Sequence, residues 1–344
     1  EAQGFGRYPP IPGTEDLRRA IAHWLGWRYG LDGIIDPDAH ILPLNGTREG
    51  LFLSPQFLRS AQSGGAIPAI LMPNPFYPVY AAGAIGAGAE PVYLPATAQN
   101  GFLPDLAAIP EDLLARIAGM YLCSPSNPQG AVAPASYLET AIDLARKHDF
   151  ILYADECYAE IYTGSPPPGI LEVARKTGSF ANILAFHSLS KRSNLPGLRS
   201  GFCAGDERLI RRLARLRNIA APQTPLPLQA AAAAAWRDEA HVRENRRLYS
   251  AKFDAMDEII GKAFGYQRPG GGFFVWLDMQ ALGGSEAAAL RLWREAGVRV
   301  LPGAYLGQEV AGENPGADYI RVALVADEDT TRMALQRMRK VLGE

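Results

Sequence analysis

Lys191 ends the string Ser188-Leu189-Ser190-Lys191, which follows an apolar run at 183–187, and Arg199 stands a short way beyond it. A lysine among small hydroxyl residues at the end of a strand can condense with a carbonyl carbon and afterwards carry a proton. Asp155 heads Asp155-Glu156-Cys157-Tyr158 after the apolar run 150–154, where a carboxylate can keep a ring nitrogen protonated. Asn127, in Ser124-Pro125-Ser126-Asn127-Pro128, and Tyr158 can hydrogen-bond a phenolic oxygen. In Asn45-Gly46-Thr47-Arg48, the backbone N–H groups of Gly46 and Thr47 fall at a helix start, with Arg48 beside them. Those N–H groups, the Ser188 hydroxyl and the fixed guanidinium of Arg199 would suit a phosphate dianion. An amine, a carboxylate and an anion cradle are together what pyridoxal 5′-phosphate requires of a protein. Tyr77, in Pro73-Asn74-Pro75-Phe76-Tyr77, offers a flat face on which a pyridine ring could stack. Arg321 lies inside the apolar run 319–324 and needs an anion, a requirement that the α-carboxylate of an amino acid would meet.

Each of these residues also has an ordinary explanation. A lysine after a strand is commonly a solvated surface residue, Asp155 could cap a helix, and Asn127-Pro128 reads as a turn. Tyr77 between prolines could simply be packed, and Arg321 could pair with a structural carboxylate. Arg192 reads as a surface charge or one near the phosphate. It is the combination of Lys191, Asp155, Asn127 and Arg199 that favours chemistry. Other chemistries fit less well. Gly83, Gly86 and Gly88 precede a strand where a dinucleotide loop would follow one, so close helix packing accounts for them better. The five histidines and three cysteines lack ligand spacing, so no metal is expected. Ser188 and Ser190 stand outside any G-x-S-x-G elbow, against a hydrolase.

In an open parallel sheet, ligands gather at the carboxyl ends of the strands, so these clusters require strands before them. Apolar runs at 69–72, 91–94, 120–123, 150–154, 183–187 and 201–204 supply such strands, with helical patterns between several of them. Thr14-Glu15-Asp16 opens a helix with Leu17, Ile21, Trp24 and Leu25 on one face, and Ser136 with Glu139 forms a capping-box pattern before another. Near-continuous apolar strands alternating with helices imply an α/β fold with a mostly parallel sheet covered on both faces. From about Gln229 the pattern turns to long helix over 236–264, then to apolar runs at 273–277, 298–301 and 319–324 around a helix near 287–296. The expected division is an N-terminal segment (1–14), a large α/β domain (15–235) and a smaller α+β domain (236–344). With 34 basic and 36 acidic residues the net charge is −2, too small to draw nucleic acid or a membrane surface. No apolar run is long enough to span a membrane and no leader is visible. Three unpaired-looking cysteines suggest a reduced, cytoplasmic setting.

The order Asn127-Pro128, Asp155-x-x-Tyr158, Ser188-x-x-Lys191, Arg199, Arg321 resembles the class I and II aminotransferases of the fold-type I pyridoxal phosphate family over nearly the whole chain. The resemblance implies the roles given above for each residue. It also implies a homodimer with active sites at the interface, in which Tyr8 of Arg7-Tyr8-Pro9-Pro10 reaches the phosphate of the neighbouring subunit. Family members carry some tens of residues ahead of the position matching Tyr8, including a segment that closes over substrate, and this sequence starts after them, at Glu1. Within the family, the strings around Asn45, Tyr77, Lys191 and Asn314-Pro315-Gly316 look most like bacterial N-succinyldiaminopimelate aminotransferases. The implied reaction takes nitrogen from glutamate and delivers it to N-succinyl-2-amino-6-oxopimelate, in lysine and peptidoglycan-precursor synthesis. The alternatives are an aspartate or aromatic aminotransferase, a pyridoxal phosphate carbon–sulfur lyase, or a non-catalytic regulator on the same fold.

Overall fold

The computed structural model describes residues 2–56 and 67–343 of the chain. A seven-stranded sheet forms the centre: β1 (Ile41–Leu44), β2 (Ala69–Asn74), β3 (Glu90–Pro95), β4 (Ile117–Cys123), β5 (Ile151–Asp155), β6 (Ile183–Ser188) and β7 (Gly201–Gly205), in the spatial order β1-β7-β6-β5-β4-β2-β3. All neighbouring pairs from β6 to β3 are parallel, while β7 runs antiparallel to both β6 and β1. The exception has a local cause. The link from β6 to β7 is spent on two short helical turns at the carboxyl edge, so the chain re-enters the sheet in the opposite direction without crossing a face. That loop carries both Lys191 and Arg199.

Alternate residues of the strands feed two separate cores. Leu71 packs beneath α1 (Glu15–Tyr29) and α5 (Ala135–Lys147), while Ile70 and Met72 face the cluster built on α2 (Thr47–Leu53), α3 (Val79–Gly86) and α8 (Glu207–Ala220). Because both faces are buried, the strands carry apolar residues at every position. The expected helix at Thr14 forms, with the Thr14 side chain accepting from Leu17 N–H. On α1, Trp24 is buried against Trp236 of α9 (Leu226–Arg237), and α9 runs across the position where the sequence suggested a domain boundary.

A second sheet of three antiparallel strands, β8 (Phe274–Asp278), β10 (Tyr319–Ala323) and β9 (Leu301–Pro302) in that order, packs with α10 (Ala240–Ile259), α11 (Gly284–Arg291) and α12 (Glu328–Leu342) around its own core. Four local expectations need correction. The helix after β4 starts on Pro134 with no side-chain cap, so Ser136 and Glu139 form no capping box, and Glu139 pairs with Lys176 instead. The stretch 236–264 is not one helix: α9 stops at Arg237, and the Asp238 carboxylate accepts from Ala240 N–H to start α10. Of the run 298–301 only Leu301 enters a strand; Val298 N–H is already bonded to the Leu292 carbonyl, just past the π-helical turn Leu292–Ala296. Strand β1 contains Pro43 and escaped the periodicity reading; it is tolerated there because β1 is an edge. No helix among the described residues is long and apolar enough to cross a membrane.

Candidate active site

A cavity of about 480 Å³ opens where β2, β4, β5 and β6 end and the small sheet leans over them, and its wall includes Thr47, Arg48, Tyr77, Asn127, Asp155, Tyr158, Ser188, Lys191, Arg199 and Arg321. The four polar clusters of the sequence thus converge on one space. Gly46 lies just behind the wall. Its φ of 81° belongs to the left-handed region, and a Cβ there would fall 2.3 Å from Arg199 Nη2. Tyr8 is 99% exposed and stands apart from the cavity.

Lys191 sits on α7 (Leu189–Arg192), whose first turn is fixed by Ser188, the side chain of which accepts from Ser190 N–H at 3.1 Å. Lys191 Nζ makes no hydrogen bond or ion pair with any described residue; it hangs 4.8 Å from the centre of the Phe273 ring and 5.8 Å from that of Tyr158. Burial lowers its pKa from the ordinary lysine value, Cys157 and Asp155 pull it back up, and Arg321 pushes it further down. Asp155, at the end of β5, is 4% exposed. Its Oδ2 accepts from the Tyr80 hydroxyl at 2.8 Å and its Oδ1 from Cys157 N–H at 3.2 Å. Burial drives its pKa up, against the lowering effect of the Cys157 and Tyr80 side chains.

Arg321 crosses from β10 into the cavity, where Nη1 donates to Asn127 Oδ1 at 2.8 Å and the guanidinium lies 4.8 Å from the centre of the Phe274 ring. Its buried Nε has no partner, and burial lowers its pKa. Arg199 is held at φ 53° with Nη1 on the Pro196 carbonyl (2.9 Å) and Nη2 on the Asn45 carbonyl (3.2 Å). Arg48 Nε donates to the Tyr77 hydroxyl at 2.7 Å, so this pair orients the ring at the cavity mouth. Arg192 points the other way. It is buried between the Trp24 and Trp236 rings and pairs with Glu239, a structural role unlike the surface or phosphate-side charge expected.

Tyr80, Cys157, Phe273 and Phe274 also line the cavity and were not among the residues expected there. Tyr80 of α3 stacks on Tyr121 of β4 at 4.4 Å and delivers its hydroxyl to Asp155 of β5, a helix-to-strand relation with no local signature. A signal for the two phenylalanines did exist in Gly270-Gly271-Gly272. A Cβ on Gly271 would fall 2.4 Å from Pro125 Cγ, so only glycine lets this segment press against the loop that carries Asn127.

Residues 1–338 match the family model of the aminotransferases of class I and II. The chain belongs to that family. This aminotransferase is 39% identical to an aminotransferase of known structure from Neisseria meningitidis, with a TM-score of 0.92 over 99% of this chain and 86% of that one. It is 33% identical over 344 residues to the LL-diaminopimelate aminotransferase of Moorella thermoacetica, covering 98% of this chain and 83% of the relative. It also shares 28% identity and a TM-score of 0.84 with a probable N-succinyldiaminopimelate aminotransferase from Thermus thermophilus, over 95% of this chain and 84% of that one. Aminotransferases of this family work with pyridoxal 5′-phosphate on amino acids and keto acids, and so does this one. The cavity of the aminotransferase fits that cofactor on its own chemistry. Among the described residues, the buried Asp155 carboxylate has no lysine or arginine paired with it, the Lys191 amine has no partner, and Arg321 keeps an unbonded N–H. A protonated pyridine ring, an aldehyde carbon and a carboxylate would satisfy the three in turn.

Proposed function

We propose that the aminotransferase carries its cofactor on Lys191 and transfers nitrogen from glutamate to a keto or semialdehyde acceptor with the diaminopimelate skeleton. When bound, pyridoxal 5′-phosphate supplies the carbon that receives the amino group and a ring that withdraws electrons from the α-carbon. The remaining work belongs to side chains. Asp155 holds the ring nitrogen protonated, and its burial strengthens that attraction. Asn127 and Tyr158 hydrogen-bond the phenolic oxygen, Tyr77 stacks on the ring, and the N–H groups of Gly46 and Thr47 join Ser188, Arg48 and Arg199 around the phosphate. Arg321, steadied by Asn127, binds the α-carboxylate and so fixes the α-hydrogen toward Lys191. The lysine amine, once released, would take that proton and return it to the carbon on the far side of the nitrogen. The observation that carries the reading is the convergence of Lys191, Asp155 and Arg321, each lacking its natural counter-group, on one cavity.

For the acceptor, two forms of one skeleton compete. The strings around Lys191 and Asn314 favoured the N-succinylated compound, as does the probable function of the Thermus protein, whereas the Moorella relative is named for LL-diaminopimelate itself. LL-diaminopimelate carries a carboxylate at each end and the succinyl group adds a third, so either acceptor calls for cationic or polar groups besides Arg321. Arg321 serves the α-carboxylate. The assembly we propose is a homodimer in which the exposed Tyr8 reaches the neighbouring subunit's phosphate site. To test the reaction, the holoprotein is mixed separately with glutamate, LL-diaminopimelate and N-succinyl-LL-diaminopimelate, following the cofactor spectrum and keto-acid release. Conversion by glutamate and by one of the two diaminopimelates supports the proposal and selects the acceptor. Conversion by glutamate alone removes the diaminopimelate skeleton, and release of pyruvate and ammonia from added cystathionine, a sulfur amino acid, would mark a lyase.

A further inference from the structure

The Lys191 amine is held by an aromatic face rather than by an acid. Phe273 presents its ring 4.8 Å from Nζ and is itself clamped, stacked on Tyr249 at 5.5 Å and 15°, and edge-on to Tyr158 at 5.6 Å. Behind it lies a second cavity of about 280 Å³, bordered by Asn245, Tyr249 and Lys252, which shares Ser190, Lys191 and Phe273 with the first. Phe273 is therefore a partition. A lysine side chain lining both spaces has somewhere to swing away from the reacting carbons, and the ring face is what favours the forward position.

We propose that Phe273 is a positioning residue for the proton transfers of this aminotransferase, its ring holding the free Lys191 ammonium on the substrate side of the partition. The inference rests on Lys191 being the cofactor-bearing lysine. During transfer that amine leaves the cofactor, takes the proton from the substrate α-carbon, and gives it to the carbon that was the cofactor's aldehyde. An ion-paired carboxylate would hold the ammonium tightly and make it a poor proton donor. An aromatic face holds it with a fraction of that strength, which suits a group that must both accept and release a proton. The charged and titratable groups facing Lys191 are Asp155, Cys157, Tyr158 and Arg321 on the front, with Tyr249 and Lys252 across the second cavity. Lys252 is engaged elsewhere, donating to the Leu324 carbonyl at 3.1 Å.

The test compares Phe273→Leu and Phe273→Met, two non-aromatic side chains so that a folding failure in one leaves the other, with Phe273→Tyr, which keeps the ring. In the apo protein, pH-dependent labelling of Lys191 by an amine reagent is followed by peptide mass spectrometry. The titration midpoint should fall in the Leu and Met variants and stay near the wild-type value in Tyr, because the ring favours the ammonium. In the holoprotein, conversion by glutamate should slow roughly tenfold in Leu and Met, with a larger effect of α-deuteration, glutamate affinity within about twofold, and recovery in Tyr. Borohydride reduction should still place the cofactor on Lys191 in every variant. Unchanged titration and rate in Leu and Met, or a Tyr variant as slow as they are, overturns the positioning role while leaving Lys191 in place; a wild-type adduct on another residue would remove Lys191 itself.

Discussion

At Asp155, burial opposes the proposed role: a carboxylate 4% exposed is pushed toward protonation, yet that role requires it ionised against a pyridinium. The Tyr80 hydroxyl and the Cys157 N–H resist the push, and the ring nitrogen would complete the balance. Replacing Asp155 with Ala should therefore weaken cofactor binding by roughly a hundredfold or more, since it strands the opposite charge in a dry site, and titrating apo protein with pyridoxal phosphate measures this; affinity equal to wild type would remove the pyridinium role. The lowered pKa of Lys191 carries a sign of its own. Condensation needs the neutral amine, which burial favours, so the rate of cofactor capture by the apo protein should rise with pH and level off below the ordinary lysine value. Rapid-mixing rates across pH check this, and a rise that follows an unperturbed lysine contradicts it. Arg321→Lys keeps a charge but loses the planar fork that meets both Asn127 and a carboxylate, so KM for glutamate should increase about tenfold or more. At this scale the sequence was most informative. Lys191, Asp155, Asn127 and Arg321 could be singled out because their chemistry is carried by residue type, whereas Tyr80 and Phe273 matter through what they touch, and touching is a property of the fold.

Among the elements, the loop joining β6 to β7 does the most for the site, since its two short helical turns carry Lys191 and Arg199 on opposite legs. Its partner is the turn between β1 and α2, where Gly46 yields to the Arg199 guanidinium. Gly46→Ala would place a methyl 2.3 Å from Arg199 Nη2 and force a positive φ on alanine, a cost of about 1–3 kcal/mol. A lower midpoint of thermal unfolding and weaker cofactor binding are expected together; a variant with both at wild-type values would show that this approach is dispensable. The strands of the large sheet were legible because they are buried on both faces, as the opposite destinations of Leu71 and Ile70 illustrate. Strand β1 was not, since Pro43 argues against a strand anywhere except at an edge, and edges are decided by the whole sheet. The break between α9 and α10 at Asp238 was hidden by an apolar period that continues across it, and the Ser136 box failed because Pro134 already begins that helix.

For the molecule as a whole, Phe52 on α2, Ile85 on α3 and Ile219 on α8 are exposed apolar side chains on three helices that share one core on the same side of the large sheet. Their exposure supports the proposed homodimer, as burial against a second copy would remove them from water. Equilibrium sedimentation should give twice the chain mass, and Ile219→Asp should shift it toward the single chain; a monomer that turns over at full rate would end the shared-site proposal. Each of these roles depends on the cofactor being joined to Lys191. The most direct measurement is reduction of the reconstituted holoprotein with borohydride, followed by peptide mapping. One phosphopyridoxyl group is expected, on Lys191, and none after treatment with glutamate has converted the cofactor to its amine form. A reduced adduct on any other lysine, or no adduct at all from protein saturated with pyridoxal phosphate, would contradict it.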